Sequence, residues 1–278
     1  MKTISTTLGV ARSNLIERRD MKRPRRGPQE RAGDVELAGA IRTLVDARPT
    51  YGYRRIAALL KRERRSDGLA PVNAKRVYRL MKKHGLLLER HTGRRRAREH
   101  DGQVATIRSN CRGCSDALEF TCWNGEVVRV AFALDCHDRE AICWVATTAG
   151  ISGEMIRNMM VRCVEQRFGV IRAPHPVQWL SDNGSIFAAH RTIDIALALN
   201  LVPCFTPVES PQSNGMAEAF VKTFKRDYVR VSPIPDAATA LALIDLWMED
   251  DNTVHPHSRL GYRSPREYIL SQPVACPV

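Results

Sequence analysis

Apolar residues recur at helical spacing in the first third of the chain. Residues 34–44 place Leu and Ile side chains three and four positions apart, the spacing of one helix face. A second segment with this pattern surrounds Ile56, and a third runs from Asn73, a residue that caps helix N-termini, to Gly85. The pattern predicts three short helices, arranged as a helix-turn-helix-like unit over residues 34–90.

The hydrophobic period changes beyond residue 111. Residues 117–123 and 126–135 are rich in β-formers and are separated by Asn124-Gly125, the dipeptide of two-residue hairpin loops. A third run at 141–148 predicts an antiparallel meander. Helical and extended patterns then alternate, with helices predicted at 155–168, around 193–199 and from about 213, and strands at 177–180 and 201–205. This order predicts a mixed α/β layer fold.

Four segments complete the predicted organisation. Residues 1–33, rich in Arg, predict a flexible basic arm without a packed element. Residues 91–110 predict a basic linker. Residues 111–230 predict the α/β core, and residues 231–278 a C-terminal helix and tail that complete it.

Charge points to a polyanionic partner. The chain of 278 residues has a formal charge of +13, and most of its 43 Lys and Arg residues lie within the first 100 positions. Each phosphate neutralised by such a residue releases counterions, so we expect salt-sensitive binding to DNA. No apolar stretch reaches the roughly 20 residues of a membrane span, and no secretory leader is visible. We therefore expect no membrane partner and a cytoplasmic, nucleoid-associated protein.

Cations surround the apolar stripe of the third predicted helix. Lys75, Arg76 and Arg79 lie on it, while Arg54 and Arg55 begin the second. The third helix could enter a major groove. The alternative is a basic bundle that contacts phosphates only, because no base-contacting residue can be identified from sequence.

Three acidic residues have settings that suit a pair of metal ions. Asp182 follows a short predicted strand, Glu218 lies on a predicted helix, and Asp116 lies near the first predicted strand. Phosphodiester chemistry uses divalent cations held by carboxylates, and Mg²⁺ prefers hard oxygen ligands. On the helix, Glu218, Lys222 and Lys225 share one face at spacings of four and three.

The first acid has a rival in Asp135. If Asn124-Gly125 alone forms the hairpin loop, Asp116 pairs with Ala133 and Asp135 pairs with Cys114. The two acids would then be diagonal neighbours on one face, and either could be the first metal ligand. A turn-capping role for Asp135 is the alternative.

Several short motifs follow one another along the chain: Tyr51-Gly52-Tyr53-Arg54-Arg55, Asn73-Ala74-Lys75-Arg76-Val77, Ser181-Asp182-Asn183-Gly184-Ser185, Thr206-Pro207, Ser210-Pro211-Gln212-Ser213-Asn214-Gly215-Met216-Ala217-Glu218, His255-Pro256-His257 and Gly261-Tyr262-Arg263-Ser264-Pro265. In this order they resemble the bacterial insertion-sequence transposases whose catalytic core is similar to retroviral integrase. The resemblance runs from about residue 34 to about residue 270.

The resemblance implies a ribonuclease-H-like α/β fold and a DDE triad that binds two Mg²⁺ ions, with Mn²⁺ as a substitute. Asp116, Asp182 and Glu218 match the triad, Asp135 matches a supporting acid, and Lys222 and Lys225 match cations near the DNA end. It implies that the protein cleaves and transfers strands of double-stranded DNA, and that its DNA substrates are the element ends and the target.

The resemblance also implies partner proteins, and it shows two positions at which this chain departs from the family pattern. Relatives of this type are second-reading-frame (OrfB) products, so we expect a first-frame partner protein and an oligomer on DNA. Gly113 and Asp251 stand where the pattern carries Trp and Tyr, and the missing Trp removes an aromatic group expected near Asp116. Two alternatives therefore stay open: a catalytically decayed DNA-binding inhibitor of transposition, and a simple metal-dependent nuclease.

Overall fold

The computed structural model describes residues 2–19, 30–89, 106–205 and 215–272. The linker from Arg90 onward, Thr206-Pro207 and the stretch 210–214 lie outside these residues. The chain divides into two compact units, residues 1–40 and 41–278. In the first unit, α1 (Lys2–Leu8) and α2 (Arg12–Arg19) occupy a stretch where the sequence predicted no element, and α1 buries no side chain.

The boundary between the units falls within helix α3 (Asp34–Ala47). Helices α4 (Tyr53–Ser66) and α5 (Ala74–Lys83) follow. Asn73 caps α5, because its side chain accepts a hydrogen bond from the Lys75 N–H, as expected of an N-cap. The three helices predicted for this stretch are confirmed, with α5 ending before a left-handed Gly85.

A five-stranded mixed sheet forms the centre of the second unit. Its strands are β1 (Arg112–Thr121), β2 (Val127–Asp135), β3 (Ala141–Thr147), β4 (Val177–Ser181) and β5 (Leu201–Phe205). The spatial order is β3-β2-β1-β4-β5. The first three strands are antiparallel, whereas β4 and β5 run parallel to β1.

Helices cover both faces of this sheet. The helices beyond β3 are α6 (Gly153–Phe168), α7 (Ser185–Ala188), α8 (His190–Ala198), α9 (Gly215–Asp227), α10 (Ala237–Thr253) and α11 (Pro265–Ser271). Side chains of α9 and α10 pack with Phe132 and Leu134 on one face, and side chains of α6 and α8 pack with Ala131 and Ala133 on the other. This arrangement confirms the predicted ribonuclease-H-like mixed α/β fold, preceded by a helix-turn-helix-like unit.

The β1–β2 hairpin corrects the predicted register. Asp116 pairs with Phe132 and Asp135 pairs with Gly113, one position away from the predicted pairing. The loop has three residues, because the Cys122 N–H donates to the Glu126 carbonyl and Gly125 adopts a left-handed φ of 89°. A turn followed by a left-handed glycine is a common three-residue hairpin.

Within the described segments, no helix combines the length and the apolar character needed to cross a bilayer.

Candidate active site

The register of β1 determines the direction of the first candidate acid. Side chains alternate across a strand, so half-buried Asp116 lies on the face of β1 that also presents Cys114 and Leu118 to α9 and α10. The Asp116 carboxylate accepts a hydrogen bond from the Ala117 N–H at 2.7 Å. Asp116 therefore faces the same layer as the helix that carries Glu218.

The second acid lies just beyond the end of β4. Asp182 is exposed, and its Oδ1 accepts a hydrogen bond from the Gly184 N–H at 3.0 Å. A Cβ placed on Gly184 would approach that same Oδ1 to 2.9 Å, closer than two such atoms normally come. The glycine therefore lets the backbone turn closely around the carboxylate.

Glu218 lies in the first turn of α9, whose opposite side buries Ala217 and Phe220 in the core. The Lys222 ammonium is 3.2 Å from the Glu218 carboxylate, an i,i+4 pair with both side chains partly exposed. Such exposed pairs stabilise a helix by only a few tenths of a kcal/mol, roughly. This weak contact therefore leaves the Glu218 carboxylate able to bind another cation.

Electrostatics link the three acids. Burial, together with the charges of Asp182 and Glu218, raises the pKa of Asp116 to about 6, although the Ala117 N–H opposes the shift. The carboxylates after β4 and on α9 thus lie near enough for their charges to act on Asp116 of β1.

Asp135 has a different role from the one the predicted register gave it. It lies on the opposite face of the sheet from Asp116 and is 2% exposed. Its carboxylate accepts hydrogen bonds from the backbone N–H groups of Asn110, His137 and Asp138 at 2.7–3.1 Å, and Arg167 of α6 is 3.4 Å away. The prediction that Asp135 neighbours Asp116 is therefore wrong, and its geometry is that of a turn-capping residue.

Gly113 also lies on the face away from Asp116. A Cβ at this position would be 3.5 Å from both the Trp179 ring and the Leu134 carbonyl oxygen. An aromatic side chain there would contact the α6 side of the sheet. The expectation that a Trp at position 113 would pack close to Asp116 is therefore wrong, because of the same alternation of faces.

The predicted DNA-binding cations differ in their surroundings. Arg54 and Lys75 are exposed, whereas Arg76 and Arg79 are half-buried. Arg55 donates to the buried Asp227 carboxylate at 2.8 Å. The structure thus places Arg54 and Lys75 where a polyanion could reach them, and it commits Arg55 to an ion pair within the protein.

A further cluster of donor atoms was not predicted as a site. Asp251, His255 and His257 bring one donor atom each to within 4.8 Å of one another. Burial lowers the pKa of His255 to about 3, so its ring is neutral near pH 7. The sequence contained both parts of this cluster, the His255-Pro256-His257 motif and the unexpected Asp251, but nothing in the sequence showed that they lie together.

A helix-turn-helix-like unit joined to a ribonuclease-H-like sheet defines a class of DNA-transposing proteins with an integrase-type core. Family models agree: an HTH-like domain matches residues 33–96, and an integrase core domain matches residues 108–211 and 201–265. The chain belongs to the family of insertion-element transposases, as its relatives show.

Two relatives illustrate this membership. Transposase InsD for insertion element IS2D, from Escherichia coli (strain K12), is 50% identical over 237 residues, which cover 85% of this chain and 79% of the relative. The insertion element IS136 uncharacterized protein of Agrobacterium tumefaciens (strain T37) is 59% identical over 195 residues, 70% of this chain and 100% of the relative.

Solved structures with similar chains include two from viral and transposon systems. A simian T-cell lymphotropic virus intasome in complex with PP2A regulatory subunit B56 gamma gives a TM-score of 0.48 at 14% identity, covering 74% of this chain and 70% of that one. The Mos1 transposase catalytic domain with raltegravir and Mg gives 0.39 at 14% identity, covering 50% and 71%.

Proposed function

We propose that this transposase cleaves and joins DNA strands at Asp116, Asp182 and Glu218. The observation that carries the proposal is the convergence of three carboxylates from β1, the end of β4 and α9, near enough for the charges of Asp182 and Glu218 to act on Asp116. Mutual repulsion of carboxylates is destabilising unless a cation offsets it. The arrangement supports a DDE-type polynucleotidyl transferase.

The donor set fits Mg²⁺, with Mn²⁺ as a substitute. All three side chains offer hard carboxylate oxygens, and Glu218 and Asp182 remain open to solvent. When bound, two such ions would activate the attacking oxygen and stabilise the leaving oxygen of the phosphodiester. The protein's own contribution is to hold the three acids in place. The strands β1 and β4 and the helix α9 that carry them are packed into the hydrophobic core.

Other residues would bind DNA. Exposed Lys222 and half-buried Lys225 lie on α9 in the turns after Glu218, and they would pair with phosphates near the reacting strand. Arg54 and Lys75 would bind phosphates of the element end, joined by Arg76 and Arg79 where the DNA follows α5. Arg55 would support DNA binding by holding α4 in place and not by contacting a phosphate, since its guanidinium is paired with Asp227.

Assembly is proposed from the family resemblance. We expect a first-reading-frame protein to act with this chain, an oligomer to form on the paired element ends, and the complex to reside on the bacterial nucleoid. Mixing the chain with that partner and a labelled terminal repeat, then measuring the mass of the complex, tests the first two expectations. A complex with the mass of a single chain on a single DNA end, without the partner protein, would contradict them.

The catalytic assignment is tested by strand joining. The chain is incubated with a labelled element end, target DNA and Mg²⁺, and wild type is compared with Glu218→Gln and Glu119→Gln. Glu119 is an exposed acid on the same β1 strand as Asp116, so its variant is a matched control for loss of one surface charge. We expect joining by wild type and Glu119→Gln, and a loss of at least ~100-fold in Glu218→Gln.

The three candidate functions give different products. Equal joining by wild type and Glu218→Gln would remove Glu218 from the active site. DNA binding without cleavage by any variant would favour the inhibitor, and cleavage without joining would favour the nuclease. Hydrolysed and joined strands differ in length on one denaturing gel, and a gel-shift assay with the same labelled end reports DNA binding.

A further inference from the structure

A second cluster of metal-binding side chains lies at the end of α10. Asp251 belongs to the last turn of that helix, and His255 and His257 follow it. The His257 Nε2 atom is 3.3 Å from Asp251 Oδ2, and the His255 Nδ1 atom is 4.0 Å from Asp251 Oδ1. Asp251 and His255 are each 1% exposed, whereas the His257 side chain is 17% exposed. The cluster is therefore buried, with one edge open to solvent at His257.

The backbone around the cluster is held in place from both sides. The His255 N–H donates to the Asp250 carbonyl at 2.9 Å, at the end of the helix. The His257 N–H donates to the Arg263 carbonyl at 3.0 Å, and the His257 carbonyl accepts from the Tyr262 N–H at 2.9 Å. Two histidines separated by Pro256 are thus fixed relative to Asp251 before any ligand binds.

Charge balance sets Asp251 apart from its neighbour Asp227. Both are buried, but Asp227 accepts hydrogen bonds from Arg226 and Arg55. Among the described residues, neither oxygen of Asp251 has a hydrogen-bond partner, and neither does His257 Nε2. An unsatisfied buried carboxylate is costly. A cation between Asp251 and the two imidazoles would offset that cost.

We propose that Asp251, His255 and His257 bind a divalent transition-metal ion of the Zn²⁺ type. Two imidazoles and one carboxylate are a donor set that Zn²⁺ uses and Mg²⁺ does not favour. Bond lengths of about 2.0–2.1 Å in tetrahedral geometry place ligand atoms roughly 3.3–3.5 Å apart, which the His257–Asp251 pair already meets. This site is separate from the three acids on β1, β4 and α9, and it requires none of them.

The surroundings indicate a structural role for this metal. The Tyr51 hydroxyl lies 2.7 Å from His255 Nδ1. Imidazoles that bind a metal commonly use their second ring nitrogen for a hydrogen bond, so Nδ1 would keep its bond to Tyr51 and Nε2 of His255 would be the metal ligand. Tyr51, 2% exposed, precedes α4. The ion would therefore hold His255 and the end of α10 in the position from which His255 bonds Tyr51, a residue of the helix-turn-helix-like unit between α3 and α4. Solvent would reach the site at His257.

The site is tested with metal alone. The full chain is stripped with chelator and titrated with Co²⁺, whose visible absorption reports tetrahedral coordination, and then with Zn²⁺ while thermal unfolding is followed. Wild type is compared with Asp251→Asn, which keeps the shape of the side chain, and with His257→Asn at the solvent edge. Glu218→Gln controls for the three acids, and Cys111→Ser controls for the partly exposed thiol of the Cys111-x-x-Cys114 pair.

We expect one Co²⁺ per chain, and a rise in melting temperature with Zn²⁺, in wild type, Glu218→Gln and Cys111→Ser. Asp251→Asn and His257→Asn should bind Co²⁺ at least tenfold more weakly and lose the Zn²⁺-dependent rise, while their far-ultraviolet circular dichroism matches wild type. If Asp251→Asn unfolds, the result for His257→Asn decides. Wild type that shows no Co²⁺ absorption would mean that His257 and Asp251 lie close together without binding a metal, and would overturn the proposal. Absorption unchanged in His257→Asn would overturn it equally.

Discussion

The Arg48 guanidinium and the Asp250 carboxylate meet side by side, with Nη1 2.9 Å from Oδ2 and Nη2 bonded to Oδ1. The Asp250 Oδ2 also accepts a hydrogen bond from the Tyr228 hydroxyl at 2.9 Å. Arg48 follows α3 and Asp250 lies in α10, so the loop between α3 and α4 of the helix-turn-helix-like unit is tied to a helix of the α/β core. Two parallel bonds of this kind are geometrically specific as well as strong.

Removing the charge of Asp250 should destabilise the chain. In Asp250→Asn the half-buried Arg48 loses its partner charge, and an amide group meets one of the two guanidinium donors. We expect a loss of ~1–3 kcal/mol in the free energy of unfolding, measured by urea denaturation. Arg42→Ala, which removes an exposed cation from α3, should change it by less than ~0.5 kcal/mol. Equal effects of the two variants would contradict a specific role for the pair.

Asp116→Asn should stabilise the metal-free protein while abolishing strand joining. The pKa of Asp116 is raised from its ordinary value of 3.8 to about 6, mainly by burial. The folded state therefore binds this proton more tightly than the unfolded chain, so ionisation penalises folding above about pH 6, and the penalty disappears below about pH 4. In chelator at about pH 8, the variant should gain on the order of 1 kcal/mol after allowance for solvent screening.

The gain is measured by urea denaturation of wild type and Asp116→Asn in chelator at about pH 8. The same measurement at about pH 4 provides the control, because protonation removes the penalty from wild type as well. The advantage of Asp116→Asn should shrink as the pH falls. A stability difference that is constant with pH would show that neither burial nor the neighbouring carboxylates raise the pKa of Asp116 in the folded protein.

Asp135→Asn should have the opposite effect on stability. Burial and the charge of Asp138 raise the pKa of Asp135 as well, but the hydrogen bonds lost in the variant outweigh the removal of that charge. Both oxygens of Asp135 accept from donors, namely three backbone N–H groups and Arg167. Only one oxygen remains in asparagine, so its NH₂ group must face a donor on the other side. We expect a loss of ~1–3 kcal/mol in urea denaturation, with strand joining reduced in proportion to the folded fraction. Complete loss of joining in a stably folded Asp135→Asn protein would restore Asp135 as a candidate metal ligand.

The hairpin shows what local sequence could and could not predict. Asn124-Gly125 correctly indicated a turn between two strands, and the helical and extended periods correctly indicated the order of elements in the core. The dipeptide did not fix whether Trp123 belongs to the strand or to the loop. Because strand side chains alternate with period two, that one position moves Asp116 and Asp135 to opposite faces.

Long-range partners were beyond the reach of sequence patterns. Arg54 and Arg55 are adjacent cations in one motif, yet Arg55 is bonded to Asp227, 172 positions away, while Arg54 is exposed. In the same way, Asp251 showed itself only as a departure from a family pattern. Its burial beside two histidines depends on how α10 ends and on the turn that follows, and neither periodicity nor composition describes that packing.

Gly184→Ala should impair joining without unfolding the protein. The added Cβ would lie 2.9 Å from Asp182 Oδ1, so the carboxylate must rotate away from its hydrogen bond with the backbone of residue 184. Backbone strain is not involved, because the φ of Gly184 is −57°. We expect at least ~10-fold slower joining and a change in unfolding free energy below ~1 kcal/mol. Normal joining by Gly184→Ala would mean that the position of the Asp182 carboxylate is not critical.

Lys75→Ala should change how DNA binding depends on salt. Lys75 is exposed in the first turn of α5, and a phosphate contact contributes about 0.9 to the slope of log affinity against log salt concentration. We expect the magnitude of that slope to fall by about 1, measured by fluorescence anisotropy with a labelled element end. Arg230→Ala, which removes an exposed cation from the turn after α9, should leave the slope unchanged. An equal reduction in both variants would show that the protein attracts DNA through its total charge, without a defined contact at α5.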